Sequence, residues 1–411
     1  MKYQKGYLDN PTLLKIELML NGIRVGKKAL DKVMVEMAGT DEMVDGIDIV
    51  LSHKTKANVP YKEEFARKSS YLLKSRRDGF FITDGEGEVK VEIPPIPNFY
   101  KGKTTTGIPF SSIGDVHSGY VVITPSKRCD FFYSDVECRY CTANFDSNGG
   151  TESTYSVDEV LETVEAAHRE GKAEIIYLSI GFGKEEDGGI RFLKPYIKAI
   201  KKHFNALIAV EALPPIDNIW VDETYAIGAD SVIYNLEIFD KELFELICPG
   251  RAKLIGRERY IDALRYAATV FPSGTVASHL IVGLEPPGST IMGIDYLTDI
   301  GVIPILPIYR PSPGRTLRVE PLTTEVIAPV YAHLYRTVKK KRINMHWVRD
   351  ISIVTTPLEG RFLIDGGRGF RSIIRDFYNT KVGLKTAWGL ATLRRKLRVK
   401  ESGESSGSSS S

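Results

Sequence analysis

Tyr120-Val-Val-Ile-Thr124-Pro-Ser-Lys-Arg-Cys129-Asp-Phe-Phe-Tyr-Ser-Asp-Val-Glu-Cys138-Arg-Tyr140-Cys141 is the stretch on which the reading of this chain turns. It opens with a short apolar, β-branched run, the pattern of a buried strand. It closes with three of the chain's four cysteines, at C-x8-C-x2-C spacing. A strand running straight into such a loop presents three thiols at its carboxyl end. Structural zinc normally closes four ligands, usually as two short pairs. Here there is one pair, one outlier, and Cys248 far along the chain. Three thiolates suit a site with an open position, such as an iron–sulfur cubane whose remaining iron takes a small-molecule ligand.

Outward from that loop the chain repeats strand, loop, helix. Ser156-Val-Asp-Glu159 is a capping box opening a helix to about Gly171. Strands are expected at Glu174–Ile180, Leu207–Glu211, Ser231–Glu237, Thr275–Gly283 and Val302–Ile308. Helices are expected over Phe192–Phe204 and Arg257–Val270. This alternation indicates an α/β fold with a parallel sheet, open or closed as a partial or full (β/α) barrel. In such barrels the chemistry lies at the carboxyl ends of the strands.

Residues 1–112 read differently, as an α+β accessory domain and linker. A helical pattern covers Leu13–Ala38. Gly79–Thr83 and Glu88–Ile93 form a hairpin around Asp84-Gly85-Glu86-Gly87, before Pro94, Pro95 and Pro97. Beyond the barrel a helix over Thr324–Lys341 and a strand at Ile351–Thr355 are expected, then a basic segment, Lys381–Lys400, with no acidic residue. That segment reads as a solvated amphipathic helix, and the Ser-rich tail 401–411 as disordered. The 411 residues, 43% hydrophobic and 26% charged with a net charge of +3, exclude a disulfide scaffold and a strong field for nucleic acid. The amino terminus lacks a signal-peptide run and no stretch is apolar enough to span a bilayer, so a cytoplasmic protein with reduced thiols is expected.

The set of motifs resembles the radical S-adenosylmethionine (SAM) superfamily, and within it the biotin-synthase-like subgroup. That superfamily carries three cysteines after strand one, commonly at x3 and x2 spacing, with an aromatic before the last. Tyr140 fills that position, while the x8 interval departs from the pattern and implies a longer loop bringing Cys129 to the same iron. Ser179-Ile-Gly181-Phe-Gly183 matches the glycine-rich stretch whose backbone meets the SAM amino group. Tyr234-Asn235-Leu236-Glu237 is similar to the Asn-Leu-Asp/Glu segment that reaches the ribose or substrate. Cys248-Pro-Gly-Arg251, Ser278-His-Leu-Ile-Val-Gly-Leu-Glu285 and the strand end at Tyr309 continue the likeness, over roughly residues 115–315, with the barrel core expected over 113–320 and 321–400 as an extension covering the barrel mouth.

The resemblance implies a [4Fe-4S] cluster on Cys129, Cys138 and Cys141 and SAM held by Tyr140, Ser179, Gly181, Gly183, Glu211, Asn235, Glu237, Arg251, Ser278 and Tyr309. The reduced cluster then cleaves SAM to a 5′-deoxyadenosyl radical that abstracts hydrogen from a small molecule or cofactor precursor, with ferredoxin or flavodoxin as electron donor. Arg251 is read either as a partner of the SAM carboxylate, as a cap on a nearby helix, or as a partner of Glu242 or Glu245. Cys248 is read as a small buried hydrophobe. With no further cysteines, sulfur insertion from a second cluster is disfavoured, leaving rearrangement or C–C bond formation. Asp115-Val-His117-Ser-Gly119 approaches a cobalamin motif but its glycine is one position early. Two rivals stand beside this reading: a zinc-stabilised, Cys-rich nucleic-acid-binding module, and a cobalamin-dependent radical SAM methylase.

Overall fold

Runs of β-branched residues alternate with amphipathic helices through the middle of the chain, and they assemble one twisted sheet. A computed structural model describes residues 6–36, 46–117, 120–141, 154–310, 317, 319–320, 322–364, 377 and 380–406. Six strands lie parallel: β8 (Tyr120–Ser126), β9 (Ile175–Ile180), β10 (Leu207–Glu211), β11 (Ser231–Ile233), β12 (Val276–His279) and β13 (Ile303–Ile305). β7 (Gly114–His117) joins antiparallel to β8, so the order is β13-β12-β11-β10-β9-β8-β7. Among the described residues no ladder joins β13 to β7, which makes this a partial (β/α) barrel.

Helices cover one face. α5 (Val157–Arg169) starts at the capping box, where Ser156 accepts from Glu159 N and the Glu159 carboxylate accepts from Ser156 N. α6 (Ile190–His203), α7 (Ile219–Ile227), α10 (Arg257–Val270), α11 (Pro287–Asp299) and α12 (Thr324–Lys340) follow. The sheet residues facing them, such as Ile176, Leu178, Ile208 and Val210, are fully buried. The alternate residues Tyr177, Ala209, Ile233, Ala277 and His279 line a cavity on the other face, as a period of two requires.

The amino-terminal segment differs from its sequence pattern. The helix expected over Leu13–Ala38 divides into α1 (Pro11–Asn21) and α2 (Lys27–Glu36), with 37–38 outside the described residues. Gly22 between them holds φ at +62°, and a Cβ there would meet Ala66 and Pro60, so the chain turns and Arg24–Val25 (β1) pairs with Leu72–Arg76 (β4). The expected hairpin forms as β5 (Gly79–Thr83) and β6 (Glu88–Val91). A second hairpin, β2 (Ile47–Val50) and β3 (Lys56–Val59), sits against the open side of the barrel, between β7 and the chain beyond β13. There Arg310 donates to Asn58 O and Asn58 N donates to Ser352 O.

The strand expected at Ile351–Thr355 reduces to a single bridge between Leu306 and Thr355. Its backbone is engaged elsewhere: buried Lys15 takes the Ile351 and Val354 carbonyls and Ser352 O serves Asn58. The basic segment forms a helix, called α14 here (Lys381–Ser406), so the part of the expected disordered tail up to Ser406 is helical; 407–411 lie outside the described residues. α14 does not cover the barrel mouth. Ala387 packs with Ile175 and Leu207, and Arg395 and Arg398 bond the backbone ahead of β11 and β12, at the amino-terminal ends of the strands. Among the described residues no helix is long and apolar enough to cross a membrane.

Candidate cysteine-loop site

The long interval in the cysteine motif is folded structure. Cys129 precedes one helical turn, α4 (Asp130–Tyr133), which accommodates the extra residues. Asp130 N donates to Phe182 O at 2.8 Å, and Phe131 stacks on Phe182 at 4.1 Å between centroids. Gly181, at the end of β9, could not be replaced without conflict, because its Cβ would come within 2.3 Å of Arg128 O. Gly183 faces only the flexible Glu185 carboxylate.

The other side of the loop rests on two short helices, α8 (Lys241–Ile247) and α9 (Pro249–Leu254). Gly250 N donates to Val136 O and Arg139 N to Ile247 O, each at 2.9 Å. Buried Cys248 between these helices hydrogen-bonds Cys138. That bond, helped against the cost of burial by the nearby Arg251 guanidinium, pulls the Cys138 thiol down to about 6. The Cys248 thiol is pushed well above its ordinary range by the same contact and by burial. Burial also raises Cys129, whose charge interacts with that of Cys138. Cys141 is half-buried, with its N–H on Cys138 O. The three thiols therefore share one braced loop, but no three Cys, His, Asp or Glu side chains among the described residues meet around a point that could hold a metal ion.

Beside Cys138 the strand ends carry a connected polar set. Glu211 is its hub: Ser179 Oγ donates to Oε2 at 2.8 Å, and Asn235 Nδ2 donates to Oε1. The Tyr177 hydroxyl also bonds this carboxylate, which with burial holds the tyrosine well above its ordinary range. Asn235 Oδ1 accepts from His279 N at 3.0 Å, and Asn235 O accepts from Arg251 at 2.5 Å. Arg251 pairs with Glu237 at 3.4 Å and lies over the Tyr260 ring. Its partner is thus Glu237, not Glu242 or Glu245. The Arg251 Nε is buried with no hydrogen-bond partner among the described residues, and Glu237 holds φ at +68°. A buried donor left open beside a strained carboxylate marks a place for an anionic or polar ligand. Tyr140 shares the charge environment of Arg251, Glu237 and Cys138.

Two expected contacts fall elsewhere. Ser278 is fully buried and its Oγ accepts from Leu236 N, on the face opposite Ala277 and His279. Tyr309 donates to Leu317 O and stands beside Gly283, in a groove against α1. Strand alternation instead places Tyr177 and His279 on the interior face under Glu211. The period-two pattern of β9 and β12 was the signal that identifies them. Asp115 and His117 form an ion pair at 3.0 Å on β7, bonded also by Tyr100, away from the loop; Ser118 and Gly119 of that motif lie outside the described residues.

These features define a partial α/β barrel with a braced three-cysteine loop at its carboxyl-terminal strand ends. No protein-family model matches the chain. It is similar to a bacteriochlorophyllide c C-7(1)-hydroxylase of Chlorobaculum limnaeum, 29% identical over 108 residues, which are 26% of this chain. That match takes in 27% of the relative's own length. Among solved structures it is similar to the FeFe-hydrogenase maturase HydG from Carboxydothermus hydrogenoformans, with TM-score 0.46, 16% identity, and 54% of this chain covering 52% of that one. It is also similar to methylornithine synthase (PylB), with TM-score 0.43, 18% identity, and 53% of this chain covering 62% of that one. Identities this low compare folds, and function has to be argued from the site.

Proposed function

We propose that the chain is a radical SAM enzyme of biotin-synthase-like arrangement, with Cys129, Cys138 and Cys141 holding a [4Fe-4S] cluster and the Glu211–Asn235–Arg251–Glu237 set holding SAM. One observation carries it: the thiol loop, with Cys138 biased toward thiolate, packs against a buried Arg–Glu pair whose arginine retains an open Nε. The donor chemistry fits, since iron–sulfur ligation takes thiolates and SAM carries an amino-acid carboxylate for a guanidinium fork. Bound there, the cluster and SAM supply one-electron cleavage and hydrogen abstraction from an unactivated carbon.

The chain's own residues bind and orient. Arg251 presents charge to a carboxylate, while Glu237 and Asn235 present acceptors and donors at neighbouring strand ends. Gly181 lets backbone approach the loop closely. Tyr140, half-buried in the charge environment of Cys138, Arg251 and Glu237, would shield that side of the site from water. A small ferredoxin- or flavodoxin-type protein is the proposed electron donor, and the substrate is a small molecule. With Cys248 bonded to Cys138, no spare cysteine among the described residues serves a second cluster, which favours rearrangement or C–C bond formation over sulfur insertion.

Anaerobic reconstitution with iron and sulfide tests this. The expected result is a brown chain with equal iron and sulfide that cleaves SAM to 5′-deoxyadenosine under dithionite, and loss of both properties in each Cys→Ala variant at 129, 138 and 141. A colourless chain that holds zinc, or a triple variant that still cleaves SAM, would overturn it.

A further inference from the structure

The partial barrel encloses a cavity of about 980 Å³ that the proposed cluster and SAM contacts do not line. Its wall on the sheet is apolar, with Ile175, Leu207, Ile233 and Ile305 projecting inward. Its upper end is Tyr177 and His279, whose hydroxyl and backbone N–H join the Glu211–Asn235 set. Its lower wall is α14. Ala387, Leu390, Ala391, Arg394 and Arg398 recur at three- and four-residue steps and so share one helix face, and all line the cavity.

Two features of that face point to an occupant. Leu390, Leu393 and Leu397 expose 53%, 56% and 57% of their surface although they border an apolar space, so the cavity is not filled by the fold itself. In the same stripe Arg394 makes no hydrogen bond or ion pair with any described residue. The neighbouring basic groups have partners: Arg395 and Lys201 share Asp230 at 2.6 Å each, and Arg398 donates to the Val270 and Thr269 carbonyls. Arg394, itself exposed, therefore presents a positive charge without a carboxylate partner among the described residues, at the edge of a mostly apolar wall.

We infer that this cavity binds the substrate of the proposed reaction, and that the substrate is an amphiphile with a large apolar body and one carboxylate or phosphate. The acid meets Arg394 at the amino-terminal ends of the strands, and the apolar body fills the space between sheet and α14. The far end of the body then lies under Tyr177 and His279, next to the polar set that holds SAM. A volume of this size is at the upper end of ligand pockets, and a mostly apolar lining with few convergent polar groups is what such ligands require. The assignment of this ligand as substrate rests on the radical SAM reading; the binding itself does not.

The test uses the full chain without cluster and two fluorescent probes, cis-parinaric acid and its methyl ester, whose emission rises on entering an apolar site. Saturable binding of one acid per chain is expected. Leu393→Glu, at an exposed position, and Ala209→Trp, which fills the space, should both abolish it. Arg394→Ala should weaken the acid about tenfold and leave the ester unchanged, as the loss of one charged hydrogen bond would. No saturable binding, or binding indifferent to both Leu393→Glu and Ala209→Trp, would overturn the cavity assignment. Equal loss of acid and ester in Arg394→Ala would overturn the anionic group. A chain that takes up the acid but never acquires a cluster removes the radical SAM reading alone, while one that cleaves SAM and takes up no acid removes this inference alone.

Discussion

Glu237 holds a left-handed backbone, φ +68°, at the point where β11 gives way to the site. Its N–H donates to His279 O and its carbonyl accepts from Ile281 N, so neighbouring backbone keeps it there. For a residue with a Cβ this conformation costs on the order of 1 kcal/mol or more. The carboxylate thereby reaches Arg251 instead of pointing along the strand. Comparing Glu237→Ala with Glu237→Gly separates strain from chemistry. The glycine variant is expected to be the more stable by about 1 kcal/mol in denaturant unfolding, since only glycine accepts the angle freely. Both are expected to weaken SAM binding about tenfold in a titration of the reconstituted chain, because each leaves Arg251 without its carboxylate. Equal stability of the two variants would mean that the backbone here is not strained.

Elements position the site through contacts that local pattern does not contain. The end of β9 and the cysteine loop meet at Gly181, where an added Cβ would fall 2.3 Å from Arg128 O and 2.8 Å from Cys129 Cβ. Gly181→Ala is therefore expected to displace the loop. Iron retained after reconstitution should fall severalfold, while far-UV circular dichroism stays that of the parent; full iron content in the variant would show that the contact is not needed. The strand and helix periods in this region were legible from the sequence. α10 spans the expected Arg257–Val270 and α5 starts on its capping box. β11 stops at Ile233 rather than Glu237, because the following backbone is taken by Ser278 Oγ and Arg251. Those partners come from distant elements, so a local reading of Tyr234–Glu237 as strand had nothing to stop it.

At the scale of the whole molecule, the two ends of the chain are locked together. Lys15 on α1 is fully buried, with its ammonium on Ile351 O, Val354 O and the Glu359 carboxylate at 2.7–2.8 Å. Removing one partner leaves an uncompensated buried charge. Lys15→Met is expected to cost about 3–5 kcal/mol in chemical unfolding, and the double variant Lys15→Met/Glu359→Leu to recover most of that loss. A single-variant cost below 1 kcal/mol would mean that the pair is hydrated. The carboxyl-terminal helix is the second long-range device, and it closes the end of the barrel opposite the one expected of it. Two of its arginines bond the barrel, Arg395 through Asp230 and Arg398 through backbone carbonyls, while exposed Arg394 borders the cavity.

The α/β class, the alternation of strands and helices and the loop that bears the thiols could all be read from local information, because strand and helix periods and cysteine spacing are written in neighbouring residues. Side-chain destination could not. Whether Ser278 or His279 faces the interior depends on a register set by the adjacent strands, and a shift of one residue exchanges the two faces. The pairing of Arg251 with Glu237, the bond between Cys138 and Cys248, and the placement of α14 beneath the sheet join residues far apart in the chain. Their energies arise from burial and charge at contacts that exist only once the sheet and its covering helices have assembled.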